Sequence, residues 1–306
     1  MAYALLFSGQ ANQHADMLPW LESAPAGAPA LHRMEGLIGT DWRATLADPQ
    51  RRGDNGFAQV LITGTALAAW AALQAAGAPA PSVVAGYSVG ELAAFAAAGA
   101  LVPEDSIALA QNRARCMDRA ADGLHTGLLP VSGMARAQVL ALCPGLEVAI
   151  DLGPEQGVYA GLDADLAAAL PLLQAQGGQC RRLDVRLASH SSWMRPALDG
   201  FAAALDAVDW HAPRCAVALN VSGALSRETS ALRPALAAQI ASTVQWQACM
   251  QSVAERQPHC VLEIGAGTAL ARLWNARYPA IAARSLDEFK DPTGALQWLE
   301  RHGARD

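Results

Sequence analysis

The stretch Gly86-Tyr87-Ser88-Val89-Gly90 sets a serine between two glycines, the spacing of a nucleophile elbow. The run Val83-Val84-Ala85 before it suits a buried strand, and the alanine-rich residues 91–98 suit a helix, with Glu91 near its positive end. A strand that turns sharply into a helix lifts the serine hydroxyl clear of the chain. Glycines at 86 and 90 remove the Cβ atoms that would crowd such a turn. The N–H of Val89 then points at any oxygen held above Ser88, giving half of an oxyanion hole. The chemistry this pattern could do is attack of a serine on an acyl carbon. The same residues could also form a plain strand-to-helix connection, so the rest of the chain must decide.

A serine nucleophile needs a base. Of the seven histidines, His190 in Ser189-His190-Ser191 has the best setting, just before a helix expected near Trp193. A second ligand-facing candidate is the amide-rich loop Gly9-Gln10-Ala11-Asn12-Gln13 after the apolar residues 3–8, where a strand's C-terminal end places binding groups. The helix expected from Pro103 carries Arg113, Arg115 and Arg119. At about 100° per residue Arg113 and Arg115 point well apart, so at least one is a solvated charge, and the spacing does not say which. Asp151, Asp163 and Asp184 precede His190, so a serine esterase of α/β-hydrolase type is an alternative, although an HGGG-type loop is missing.

These groups need a scaffold. With 52% hydrophobic and 16% charged residues over 306 positions, the chain reads as compact and folded, with a substantial core. Residues 126–188 have the order β-α-β-β-α-β, a ferredoxin-like pattern that interrupts an α/β domain. The expected fold is therefore α/β: a large α/β-hydrolase-like domain with a parallel sheet, residues 1–125 and 189–306, and an inserted ferredoxin-like subdomain, residues 126–188. The last strand of that subdomain is expected over residues 180–187. A net charge of −6 without a dense basic run argues against nucleic acid. The apolar residues 57–76 carry Gln59, Thr63, Thr65 and Gln74, so no membrane segment is expected. Six scattered cysteines lack metal-site spacing and read as reduced core residues, and the first ten residues lack a basic n-region, which together imply a cytoplasmic protein. Gly265-Ala266-Gly267 resembles a nucleotide loop, but Leu270 stands where a third glycine belongs and too little chain follows, so it reads as a tight turn.

Taken together and in order, Phe7-Ser8-Gly9-Gln10-Ala11-Asn12-Gln13, Gly86-Tyr87-Ser88-Val89-Gly90-Glu91, Arg113 with Met117, Ser189-His190-Ser191, Asn220-Val221, Val244-Gln245-Trp246 and Glu263-Ile264-Gly265-Ala266-Gly267 resemble the malonyl-CoA:acyl carrier protein transacylases. The resemblance implies Ser88 as nucleophile, His190 as base, an oxyanion hole from the N–H groups of Gln10 and Val89, and Arg113 on the malonyl carboxylate. Gln245 matches the residue whose neighbourhood orients the histidine, and Glu91 is left as a helix-start charge. It implies malonyl-CoA as substrate, an acyl carrier protein as partner, and neither a tightly bound cofactor nor a metal. Tyr87 and the F-S-G-Q-x-N-Q-H start look more like the epsilon subunit of malonate decarboxylase, whose acceptor is a carrier subunit; fatty-acid or polyketide synthesis is the alternative, and a non-catalytic scaffold subunit the remaining one. The small Ser189 leaves room for a methylmalonyl group.

Overall fold

A computed structural model of the chain describes residues 2–183 and 185–303, with only the backbone at positions 49 and 50. Asp184, one of the acids preceding His190, lies outside the described residues. Ten strands occur among these residues: β1 (Tyr3–Phe7), β2 (Val83–Gly86), β3 (Thr126–Ser132), β4 (Glu147–Gly153), β5 (Gln156–Leu162), β6 (Gln179–Cys180), β7 (Ala216–Ala218), β8 (Leu225–Ser226), β9 (Cys260–Ile264) and β10 (Ala282–Ser285). They form a six-stranded sheet, in the order β10-β9-β1-β2-β7-β8, and a four-stranded sheet, in the order β4-β5-β3-β6. In the larger sheet all pairings are parallel except β7 with β8. In the smaller sheet all are antiparallel.

The larger sheet is apolar on both faces. Every residue of β1, β2 and β9 is buried, and adjacent positions fall into two different core clusters, as a strand covered on both sides requires. One of those covers is the helix Asn55–Ala75. Its N-cap is Asp54, whose side chain accepts the Phe57 N–H, and it is long and apolar enough to cross a membrane. Nearly nine-tenths of that apolar window, 89%, is instead buried inside the fold. Met34 closes on Gly64, where a Cβ would stand 2.6 Å from the Met34 Cβ.

The helix Trp42–Ala47 and β8 were not expected from the sequence, and two expected elements differ from their pattern. The strand expected over residues 180–187 is reduced to Gln179–Cys180, which pairs with Val131 and Ser132. Beyond it the chain turns polar at Arg181-Arg182, and Leu183 makes a single main-chain bond back to Leu128. The helix expected near Trp193 begins as a 3₁₀ segment, Ser192–Ala197, because Pro196 supplies no N–H, and continues as the α-helix Leu198–Asp206.

The outer strand of the four-stranded sheet is tied to the segment just before the helix Trp246–Glu255. Val244 makes an isolated parallel bridge with Ile150 of β4, with Val244 N–H donating to Ala149 O and Asp151 N–H to Val244 O, each at 2.9 Å. Thr243 Oγ1 adds a bond to Val148 O at 2.7 Å.

Candidate active site

Strand β2 runs into the elbow and leaves through the helix Gly90–Ala97. Ser88 sits at the bend with φ +56°, a left-handed conformation that a non-glycine residue adopts only when its surroundings enforce it. The surroundings here are three glycines. A Cβ at Gly86 would lie 2.2 Å from the Gly90 carbonyl, one at Gly90 would lie 2.4 Å from Phe7 O, and one at Gly9 would lie 2.6 Å from Tyr87 O. The elbow therefore closes on itself and on the loop after β1. That loop brings Gln10 alongside, with its carboxamide Nε2 donating to Asn55 at 3.3 Å. Among the described residues, the backbone N–H groups of Val89 and Gln10 donate to no protein acceptor.

His190 also has a positive φ, +63°, and is 1% exposed. Its Nε2 is 2.7 Å from Ser88 Oγ, and its Nδ1 is 2.8 Å from the backbone carbonyl of Gln239. A carbonyl can only accept, so Nδ1 carries the proton and Nε2 presents a lone pair to the serine O–H. That is the tautomer of a general base. Burial, with the Arg113 charge adding to it, pushes the imidazole down to about 3, so it is neutral at ordinary pH.

Arg113 faces this pair from the helix Pro103–Ala120, while Arg115, two residues on, is exposed. The structure thus settles which arginine turns inward. Arg113 is 1% exposed; Nη1 donates to Gln59 Oε1 at 2.7 Å and Nη2 to Gln239 Oε1 at 2.8 Å, while its buried Nε has no hydrogen-bond partner. A buried cation held by neutral amides has unused capacity for an anion, and leaving it without one is costly.

A family model described as an acyl transferase domain matches residues 5–280. The chain belongs to the acyl transferase family. Among its relatives, the malonyl CoA-acyl carrier protein transacylase of Mycolicibacterium smegmatis is 33% identical over 248 residues, covering 78% of this chain and 84% of that protein. The crystal structure of acyl-carrier-protein S-malonyltransferase from Burkholderia pseudomallei superposes with a TM-score of 0.88 at 29% identity, covering 97% of this chain and all of that one. A type II polyketide acyl-carrier protein in complex with its malonyl-transacylase gives 0.89 at 25% identity, covering 97% and 99%.

In this acyl transferase the expected orienting residue needs correction. The group on His190 Nδ1 is Gln239, not the neighbourhood of Gln245. Gln245 precedes the helix Trp246–Glu255, and its N–H donates to Asn220 O at 2.7 Å. Asn220 in turn holds the elbow: Oδ1 accepts the Ser88 N–H at 3.0 Å and Nδ2 donates to Gly86 O at 2.7 Å. Glu91 is likewise more than a helix-start charge. Its buried carboxyl accepts the Asn220 N–H at 2.8 Å and Gln239 Nε2 at 2.8 Å, and burial pushes it up to about 8 against the pull of those bonds and of Arg113. Gln239 Nε2 also reaches Ser88 O at 2.7 Å.

Sequence reasoning missed Gln239, Gln59 and, as a contact of the elbow, the side chain of Asn220. Gln59 and Gln239 did carry a signal: each is a carboxamide within an otherwise apolar helical stretch, and a buried amide there needs partners. Asp151 and Asp163 are placed away from the histidine, pairing with Arg136 and Arg182. No group of three or more His, Cys, Asp or Glu side chains that could hold a metal occurs among the described residues.

Proposed function

We propose that the chain transfers a malonyl group from malonyl-CoA to the phosphopantetheine-type thiol of an acyl carrier protein, through a malonyl ester on Ser88. The observation that carries the reading is the 2.7 Å contact of Ser88 Oγ with His190 Nε2, beside a buried Arg113 that no carboxylate neutralises by direct contact among the described residues. The relatives' names supply the substrate class.

Ser88 Oγ attacks the thioester carbonyl as its proton passes to His190 Nε2. The N–H groups of Val89 and Gln10 receive the oxyanion. Cleavage of the C–S bond releases CoA, whose sulfur takes the proton back from His190. The carrier thiol then repeats the sequence in reverse, giving its proton to His190 and restoring Ser88. Arg113 receives the free carboxylate of the malonyl group in a paired contact that guanidinium geometry suits.

The finer readings rest on the sequence. Tyr87 and the F-S-G-Q-x-N-Q-H start favour the carrier subunit of malonate decarboxylase over a fatty-acid or polyketide carrier as acceptor. The β-α-β-β-α-β order and the strand order β4-β5-β3-β6 support a ferredoxin-like subdomain at residues 126–188 within a hydrolase-like large domain, and the six free cysteines support a reducing, cytoplasmic setting.

The test is intact-mass spectrometry of the protein with malonyl-CoA and no acceptor, beside Ser88→Ala. The expected result is a malonyl adduct on the wild type alone. Rapid release of malonate would favour an esterase, and an unmodified protein with intact malonyl-CoA would favour a scaffold.

A further inference from the structure

In the mechanism above Arg113 and His190 have separate tasks, one for binding and one for proton transfer. Here a single residue holds both. The side-chain Oε1 of Gln239 accepts Arg113 Nη2 at 2.8 Å, and its main-chain oxygen accepts His190 Nδ1 at 2.8 Å. All three residues are buried, at 1% exposure or less. Two charges fixed at short range in a water-poor site interact strongly, and the cation acts on the imidazole throughout its working cycle. In taking the serine proton the imidazole becomes a cation itself, so the guanidinium opposes that step.

The other charged and titratable groups around His190 do not cancel this opposition. Ser88 and Tyr87 on the elbow are neutral. Glu91, from the helix Gly90–Ala97, bonds to Gln239 Nε2 and lies near enough to Arg113 for their charges to attract, but burial pushes it towards its protonated, neutral form. Cys249, on the helix Trp246–Glu255, is a buried thiol held up by desolvation. Glu147, on β4, bonds to the Ser192 N–H and hydroxyl, two residues beyond the histidine, and makes no hydrogen bond to the imidazole or to Arg113.

We infer that the substrate's own carboxylate activates the base: by pairing with Arg113 it removes the charge that opposes protonation of His190, so the site selects a carboxylate-bearing acyl group in the chemical step as well as in binding. This rests on the malonyl reading above. Its chemistry is economical in groups. A neutral acyl group in the same pocket leaves the guanidinium uncompensated, and Ser88 keeps its proton more tightly. The lowered imidazole is consistent with the free site being held in this restrained state.

The experiment is single-turnover acylation at saturating donor, which reports on the enzyme–donor complex rather than the free enzyme. The wild type is held at neutral pH and jumped for milliseconds into buffers from acid to neutral, with malonyl-CoA or with carbamoylacetyl-CoA, in which a carboxamide replaces the carboxylate. The expected acid-limb midpoint lies about one pH unit or more lower for the neutral donor, the size of effect an adjacent opposite charge produces. In Arg113→Gln the neutral donor's midpoint is expected to rise towards that of malonyl-CoA in the wild type.

Coincident midpoints for the two donors in the wild type overturn the inference while leaving the malonyltransferase reading intact. A neutral donor that binds saturably yet acylates at no pH also overturns it, because the coupling moves a midpoint and does not abolish the step. Absence of a malonyl adduct at every pH removes the proposed function, and the inference with it.

Discussion

Ser88 and His190 share a left-handed backbone, at φ +56° and +63°, but steric contact weighs far more in holding the first than the second. At Ser88 close packing dominates: Gly86 and Gly90 sit where no side chain fits and Gly9 brings a neighbouring loop into the same contact, with Asn220 and Gln239 adding polar bonds to the Ser88 main chain. His190 is fixed by polar bonds to residues far along the chain, with its main-chain N–H on Ile240 O and its ring on Gln239 O, 49 residues away. Close contact is unforgiving and local. Polar bonding is adjustable, and it carries charge information between groups.

Substitutions that test the two sides should differ in size. The largest effect is expected for Gly86→Ala, because the atoms it meets at 2.2 Å are backbone and cannot rotate away. A loss of about 3 kcal/mol or more, or failure to fold, is expected by chemical denaturation. Gly36→Ala is its control: nothing lies within 4 Å of the added methyl on the exposed face of the helix Ala28–Ile38, and stability should rise by up to about 1 kcal/mol. Equal losses at the two positions would end the steric account.

Next in size is Asn220→Ala, which strips the Ser88 N–H and the Gly86 carbonyl of their partner together. A loss of about 1–3 kcal/mol is expected, with slower acylation in rapid-quench measurements. A wild-type rate at wild-type stability would show that the glycines alone define the elbow.

The pH dependence follows from the polar side. His190 must be neutral to accept a proton, and burial keeps it so down to about 3 instead of 6.5. With a neutral donor, which leaves the Arg113 charge in place, acylation should therefore stay level between pH 7 and pH 5, where an ordinary histidine base would lose most of its activity. In the same window an unfolded chain binds a proton at this histidine that the folded one does not, so its contribution to stability falls as the pH drops. Glu91 acts in the opposite sense: the folded protein retains that proton up to about 8, so its contribution is lost as the pH rises through the interval from 4.5. A half-loss of acylation near pH 6.5 would show that the base is not held in this environment. The smallest effect is expected for Gln245→Ala. Its bonds to Asn220 and Cys249 are made by the main chain, so the acylation rate should change by about twofold or less.

The difference between the two sides also explains what could be read from the sequence. The elbow was legible because its requirements are local: a strand signal, a glycine on each side of Ser88 and a helix signal lie within sixteen residues, 83–98. His190 and the loop carrying Gln10 were singled out by their own settings and given their roles by the family resemblance, while helical spacing alone left Arg113 and Arg115 undecided. Gln239 carried the signal of a buried amide but not its role, and Gln245 stood in its place: Gln239 ends the helix Thr229–Gln239, Gln245 follows it, and only the fold shows which carbonyl meets the imidazole. Glu91 was misread for a similar reason. Its place in a helix's first turn already accounts for an acidic residue, and nothing local reveals that Asn220, 129 residues away, will close over it.

The bridge between Val244 and β4 has a consequence for association with other molecules. An open sheet edge is a row of unpaired donors and acceptors, ready to take on a strand from another chain. In the four-stranded sheet one edge is β4, whose outward groups are taken up by Val244 and Thr243, and the other is β6, only two residues long. The sheet therefore offers little backbone for a stray strand to extend. The same segment of chain that orients the imidazole at Gln239 also guards this edge five residues later, so damage to it would expose the protein to aggregation as well as cost it activity.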